Sequence, residues 1–337
     1  MNDTLQQVTA VRVAVGQFDR SAMGRLAITG SDRYSWLQGM VSNDVRLLEK
    51  RAVYRLPACI LDPTGHVISE LTLIDISADS PLARATMGEA YILVEIPPGT
   101  ADSVSTHLQR YLIMEDAEVA DISERLVCIT IQGPRVSAIR AALDALPDVA
   151  LSVEADHTGS GGLDLYAPAD GAHRLRDALR QLVPMEVGSA AQEILRVEAG
   201  IPKSGVDMDV TTLAPEAGLM ATHISLTKGC YVGQEIVARI DTRGHTNRAL
   251  TGLLVLGETL PAAGEKLFSD DVMGDGREAG WITSVAQNSP AAGGRPIALG
   301  YVRHEYRSVG AWLRLGSAES SRRVEVAELP FYRKPAP

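Results

Sequence analysis

Cysteine is scarce in this chain, with only Cys59, Cys128 and Cys230 in 337 residues. Three cysteines at wide spacing give no disulfide framework and no Cys-x-x-Cys pair for zinc or an iron–sulfur cluster, which points to a cytosolic protein. Long apolar runs are also missing. None approaches the roughly 20 residues of a spanning helix, and Met1-Asn2-Asp3-Thr4-Leu5-Gln6-Gln7 has neither the basic nor the apolar region of a signal peptide, so no membrane role is expected. Positive charge is in deficit: 32 Lys and Arg against 42 Asp and Glu give a net charge of −10, and no block of consecutive basic residues offsets it. Direct nucleic-acid binding is therefore not expected. The seven histidines form no His-x-x-x-His pair. Also absent are a Gly-x-Ser-x-Gly elbow, a phosphate loop and a dinucleotide fingerprint, and no metal site is expected.

What is present is enough for two or three domains with real cores, at 45% hydrophobic content. The spacing predicts an α+β fold. Residues 1–120 read as one unit: strand 24–29, a helix after Gly30 with Trp36, Leu37, Met40 and Val41 on one face, a hairpin of 55–61 and 66–76 around Asp62-Pro63-Thr64-Gly65, strand 91–96 and helix 101–114. Residues 121–200 echo that pattern, with strands 126–131 and 163–166 and helices 136–146, 172–182 and 189–199, so that two related α+β layers are expected. A long polar connection, 201–247, carries Pro202, Gly205, Pro215 and Gly218, and a connection of that length is more often functional than idle. From 248 to 337 short strands alternate with turn-rich pieces such as Ser269-Asp270-Asp271-Val272-Met273-Gly274-Asp275-Gly276, which reads as a small barrel or sandwich.

The most reactive-looking stretch is Lys228-Gly229-Cys230-Tyr231-Val232-Gly233-Gln234-Glu235. Glycine reaches backbone angles closed to other residues, so two glycines would turn the chain tightly and leave Cys230 uncovered. A short amphipathic helix follows, with Ile236, Val237 and Ile240 at helical spacing and Arg243-Gly244 at its end. The helix dipole and Lys228 would both favour thiolate over thiol at Cys230. Cys59 and Cys128 lie in apolar strand-like runs and read as core.

Three further stretches resemble the T-protein (aminomethyltransferase) superfamily of the glycine cleavage system: Arg196-Val197-Glu198-Ala199-Gly200-Ile201-Pro202 through Leu219, Gly280-Trp281-Ile282-Thr283-Ser284 with Ile297 to Val302, and Leu26 to Gly30 with Ser42-Asn43-Asp44-Val45. Within it, the cysteine motif is similar to the signature of the YgfZ branch, folate-binding proteins that help mature iron–sulfur enzymes. The resemblance implies a T-protein-like fold with a C-terminal barrel. It also implies a central tetrahydrofolate site with Glu198 facing the pterin, Arg196 and Gln234 near it, and Cys230 at its rim among Lys228, Gly229, Tyr231, Gly233 and Glu235.

The chemistry of Glu198 agrees, because a pterin edge presents two parallel donors that one carboxylate accepts together, at about 1.5–3 kcal/mol per charge-assisted bond. A solvated helix residue paired with an arginine is the alternative. T-protein catalysis uses an aspartate in a pattern like Gly-x-x-x-Asp-Asp-Leu, and Gly65-His66-Val67-Ile68-Ser69-Glu70-Leu71 offers Glu70 there, one methylene longer. Three functions follow: folate-dependent support of iron–sulfur enzymes with client or assembly partners, an aminomethyl- or methyltransferase using Glu70, or a ligand-free interaction module. Asp207 and Asp209 read as loop-bonding residues, and His223 is the one histidine placed beside the motif.

Overall fold

The computed structural model describes residues 3–257, 259–270 and 276–334. Strands Gly24–Thr29 and Tyr91–Ile96 are buried at every position, and they pair in the middle of a five-stranded antiparallel sheet. The hairpin Arg55–Leu61 and Val67–Ile76 extends it on one side, Glu118–Asp121 on the other. Burial on both faces requires two covering layers. Helices Arg33–Met40 and Ala101–Gln109 cover one face with Trp36, Leu37, Val104 and Leu108. A second sheet covers the other, placing Cys128 and Tyr166 against Ala27, Tyr91 and Leu93.

That second sheet runs Gly16–Asp19, Leu126–Gln132, Gly162–Pro168, Leu151–Glu154, and helices Val136–Asp144 and Ala172–Leu182 pack on its outer face. The two α+β layers read from the sequence are therefore back to back, and they intertwine. Strand Gly16–Asp19, early in the chain, pairs with Ile129–Gln132, so the chain starts in the second layer before crossing to the first.

Several elements differ from expectation, among them strands Gly16–Asp19, Glu118–Asp121 and Leu151–Glu154, which were not read in the sequence. The helix expected over 101–114 stops at Gln109, because Tyr111 N–H closes back on the Leu108 carbonyl and leaves Ile113 and Met114 exposed. A helix at Asp3–Val13, unread in the sequence, packs Val8 and Val11 against Ala191, Ile194 and Leu195 of helix Ser189–Glu198.

The C-terminal part is a closed six-stranded barrel: Arg248–Val255, Ile297–Arg303, Glu278–Ala286, Lys266–Ser269, Trp312–Leu315 and Arg323–Ala327. Leu253, Leu267, Ile282, Leu313 and Val324 fill it. Strands Lys266–Ser269 and Trp312–Leu315 have four residues each, too short for alternation to register in the sequence. Of the turn expected over 269–276, residues 271–275 lie outside the described residues.

One buried ion pair joins these parts. Arg12, on the first helix, donates from Nη2 and Nε to Glu198 Oε2 at 2.7 and 3.3 Å, and from Nη1 to the Thr158 carbonyl and Ser160 hydroxyl at 2.6 and 2.8 Å. Glu198 Oε1 accepts from the Ser289 hydroxyl at 2.6 Å and the Ala291 N–H at 3.0 Å, both on the barrel. The Tyr332 ring lies 3.5 Å from the Arg12 guanidinium. Removing one partner of a buried pair leaves an uncompensated charge, so Arg12→Ala should cost about 3–5 kcal/mol in chemical denaturation; a loss below ~1 kcal/mol, typical of an exposed pair, would contradict this role.

Candidate functional site

The cysteine motif is framed by its own residues. Lys228 Nζ donates to the carbonyls of Gln38, Val41 and Asn43 at 2.7, 2.6 and 2.8 Å, spending all three protons on the carbonyl-rich end of helix Arg33–Met40. Burial pulls this ammonium down to about 8. Its protons thus hold the loop in place, which corrects the expectation that Lys228 serves the Cys230 thiol. Tyr231 packs against the cluster of Cys59, Leu61 and Val237. Gln234 Oε1 accepts the Tyr231 N–H at 3.1 Å, so its amide shapes the turn, and Glu235 is exposed with Arg239 at 3.8 Å.

Only one of the two motif glycines is conformationally required. Gly233 has φ +82°, and a Cβ there would lie 2.5 Å from the Asp62 carbonyl oxygen of the hairpin turn. Gly229 has no positive φ and open space around it. The helix after the motif, Gln234–Arg243, thus begins against the tip of the first hairpin. Cys230 is exposed just ahead of it, while Cys59 and Cys128 are buried.

Glu70 lies elsewhere, between the two sheets. Cross-strand pairs share a face, and the register Pro57↔Thr72, Cys59↔Glu70, Thr72↔Glu95 and Arg25↔Glu95 puts Glu70, Thr72, Glu95 and Arg25 on the face that looks toward the second sheet. Glu95 is held by Arg20 at 2.7 Å, Arg25 at 3.4 Å and the Tyr166 hydroxyl at 3.1 Å. Burial would push its carboxyl up, but Arg20 and Arg25 outweigh that and hold it below the usual range. Glu70 has weaker support: burial pushes it up to about 7, against hydrogen bonds from Ser204 and the charge of Arg20. Arg20 Nε and Arg25 Nε are buried with no partner. Arg20, Arg55, Ser204 and His223 also meet this region, though none stood out in the sequence in that role, because only sheet pairing and loop return bring them together.

Glu198 does not face open space. It is fully buried, and its oxygens are taken by Arg12, Ser289 and Ala291, so it is paired with an arginine as the alternative had it, but not solvated. Arg196 is similarly committed: it binds Glu193, the Ser284 hydroxyl at 2.6 Å and Asp207 at 2.6 Å. Asp207 also accepts from Lys203 N–H at 2.9 Å and from the hydroxyls of Thr283 and Ser284, the loop-bonding role read from the sequence. This knot fixes the loop that presents Ser204 to Glu70.

Two outcomes follow from the site's geometry. In the native state a maleimide or iodoacetamide should label Cys230 and spare Cys59 and Cys128, whose thiols burial pushes well up; mass spectrometry showing equal labelling of all three would contradict it. Glu70, raised from 4.5 to about 7 in the fold, favours the folded state fully below about pH 4.5 and loses that contribution as pH rises through about 7. Glu70→Gln cannot ionise, so between about pH 5 and about pH 8 it should gain on the order of 1–3 kcal/mol relative to wild type in urea titrations. The same difference at both pH values would show that the carboxyl is not perturbed.

Residues 2–155 match the GCVT N-terminal domain, and residues 248–333 match the glycine cleavage T-protein C-terminal barrel domain. An aminomethyltransferase of Nostoc sp. is 29% identical over 344 residues, spanning 96% of this chain and 86% of that protein. One of Bacillus subtilis is 24% identical over 348 residues, spanning 96% and 90%. The glycine cleavage system aminomethyltransferase T from Bartonella henselae superposes with a TM-score of 0.82 at 21% identity, over 98% of this chain and 90% of that one, a likeness of fold. The chain therefore carries a GCVT N-terminal domain and a glycine cleavage T-protein C-terminal barrel domain, and has the aminomethyltransferase-like fold.

Proposed function

We propose that this chain binds tetrahydrofolate between its two sheets and transfers a one-carbon unit, aminomethyl or methyl, with Glu70 as the acid–base group. The observation that carries this reading is the Glu70 carboxyl itself, on the sheet face that looks toward the second sheet and pushed up to about 7 by burial, against the pull of Ser204 and Arg20. Such a group can give a proton to the departing side of a donor and take one from the accepting nitrogen at the same pH. The relatives named as aminomethyltransferases support the same chemistry. The interlayer suits a folate: Glu70 can accept ring or amine donors, and Arg20 and Arg25 keep buried N–H groups without partners.

Glu198, Arg196 and Gln234 act in this reading by positioning. Glu198 is spent on Arg12 and the barrel, Arg196 on Asp207 and the Gln234 side-chain carbonyl on Tyr231, so ligand contact passes to Glu70. When bound, the folate supplies the nitrogens that carry the one-carbon unit.

A second reading rests on a different observation. Cys230 is exposed on a loop whose Lys228, Tyr231, Gly233 and Gln234 are all committed to holding it in place, while the thiol has no structural task. A rigid frame around an accessible thiol suits contact with iron–sulfur client or assembly proteins, as in the YgfZ branch that the motif resembles.

Variants separate the two. For the transferase, Glu70→Gln should lower turnover at least ~100-fold even at saturating tetrahydrofolate, and Cys230→Ser should turn over normally. Loss of iron–sulfur enzyme activity in a deletion strain carrying Cys230→Ser, with full activity for Glu70→Gln, would overturn the transferase reading in favour of the second. Wild-type protein that fails to bind tetrahydrofolate would sink both.

A further inference from the structure

Arg55 is the half-buried arginine of the interlayer that has no acid. It starts the strand Arg55–Leu61 and, through the pairing Arg55↔Ile74 and Pro57↔Thr72, stands on the same sheet face as Thr72 and Glu70. Its guanidinium donates to Thr72 Oγ1 at 3.1 Å. Among the described residues no carboxylate pairs with it, whereas Arg12, Arg20, Arg25 and Arg196 each have one.

The charges around Arg55 explain why it stays free. Glu95, opposite Thr72 on the next strand, is already shared by Arg20, Arg25 and Tyr166. Burial pushes Glu70 up to about 7, so near neutrality it carries only part of a charge. His223, on the short helix Met220–His223, is pulled down to about 4 by burial and then by Arg55 itself, so it is neutral and adds no competing cation. A guanidinium with several unspent N–H donors, beside a hydroxyl and a neutral imidazole, has the chemistry of a carboxylate receptor.

We propose that Arg55 receives a carboxylate of the glutamyl tail of tetrahydrofolate. The assignment rests on the folate reading above and names the end of the ligand that points along the hairpin. Thr72, which meets the Arg55 guanidinium, is two residues along the strand from Glu70, about 7 Å at the rise of a β-strand. That is close to the length of the aminobenzoyl unit of tetrahydrofolate, and the glutamyl carboxylates lie beyond it, within the further reach of the Arg55 side chain. With the one-carbon end at Glu70, the tail reaches Arg55.

Tetrahydropteroate, which lacks the glutamyl unit, makes the test. Calorimetric titration of wild type should give tetrahydrofolate roughly tenfold or more the affinity of tetrahydropteroate. In Arg55→Gln the tetrahydrofolate affinity should fall by about that factor while tetrahydropteroate stays within about twofold, and Arg55→Lys, which keeps the charge but not the fork, should lie between. Equal affinities of the two ligands for wild type, or equal losses for both in the variants, would overturn the assignment while leaving folate binding intact. Wild type that binds neither ligand would end the folate reading and this assignment together.

Discussion

Arg12 and Glu198 are 186 residues apart in sequence, yet the ion pair between them is where the first helix, the second layer and the barrel converge. Each partner is satisfied from several directions: the guanidinium by two groups of the 158–160 turn, the carboxylate by two groups of the barrel. That completeness matters because taking two charges out of water costs several kcal/mol per ion, and only a fully hydrogen-bonded pair offsets it. A pair so arranged contributes more to where the parts sit than to net stability. Slight displacement of the barrel would strand a buried charge, so the barrel has one seat.

The same logic extends inward. Asp207, fully enclosed by Arg196, the Lys203 N–H and two barrel hydroxyls, fixes the loop that carries Ser204. Ser204 in turn favours the Glu70 carboxylate against burial. The motif loop is fixed independently, by Lys228 against the end of helix Arg33–Met40 and by Gly233 against the hairpin tip. The Ser204 loop and Gly233 therefore both end on the hairpin that bears Arg55, Cys59 and Glu70, while Lys228 ends on the helix. Many structural polar groups are spent at the seams, and Glu70, Arg55 and the Cys230 thiol are among the groups left with capacity.

The sequence was legible where one local rule decided the outcome. Gly24–Thr29 and Tyr91–Ile96 are apolar enough to announce central strands, the hairpin turn follows from Asp62-Pro63-Thr64-Gly65, and Gly244 ends its helix with φ +80° as a C-cap glycine does. The T-protein-like architecture and the exposure of Cys230 were readable too. Long-range commitments were not. Nothing local says that Glu198 meets Arg12, that Lys228 caps a distant helix, or that Arg55 lacks an acid, since each depends on which face a strand presents and what returns to cover it. Helix 101–114 was overread for the converse reason: Ile113 and Met114 prolong an apolar pattern that has no core to bury against.

The central claim is that ligand contact belongs to the interlayer at Glu70 and Arg55, while Glu198 is a joint. A crystal structure of the protein with bound tetrahydrofolate tests it most directly. The account predicts the ligand between the two sheets, its one-carbon nitrogens at Glu70 and a glutamyl carboxylate at Arg55, with the Arg12–Glu198 pair intact. A pterin ring seated on Glu198, with Arg12 displaced, would contradict it.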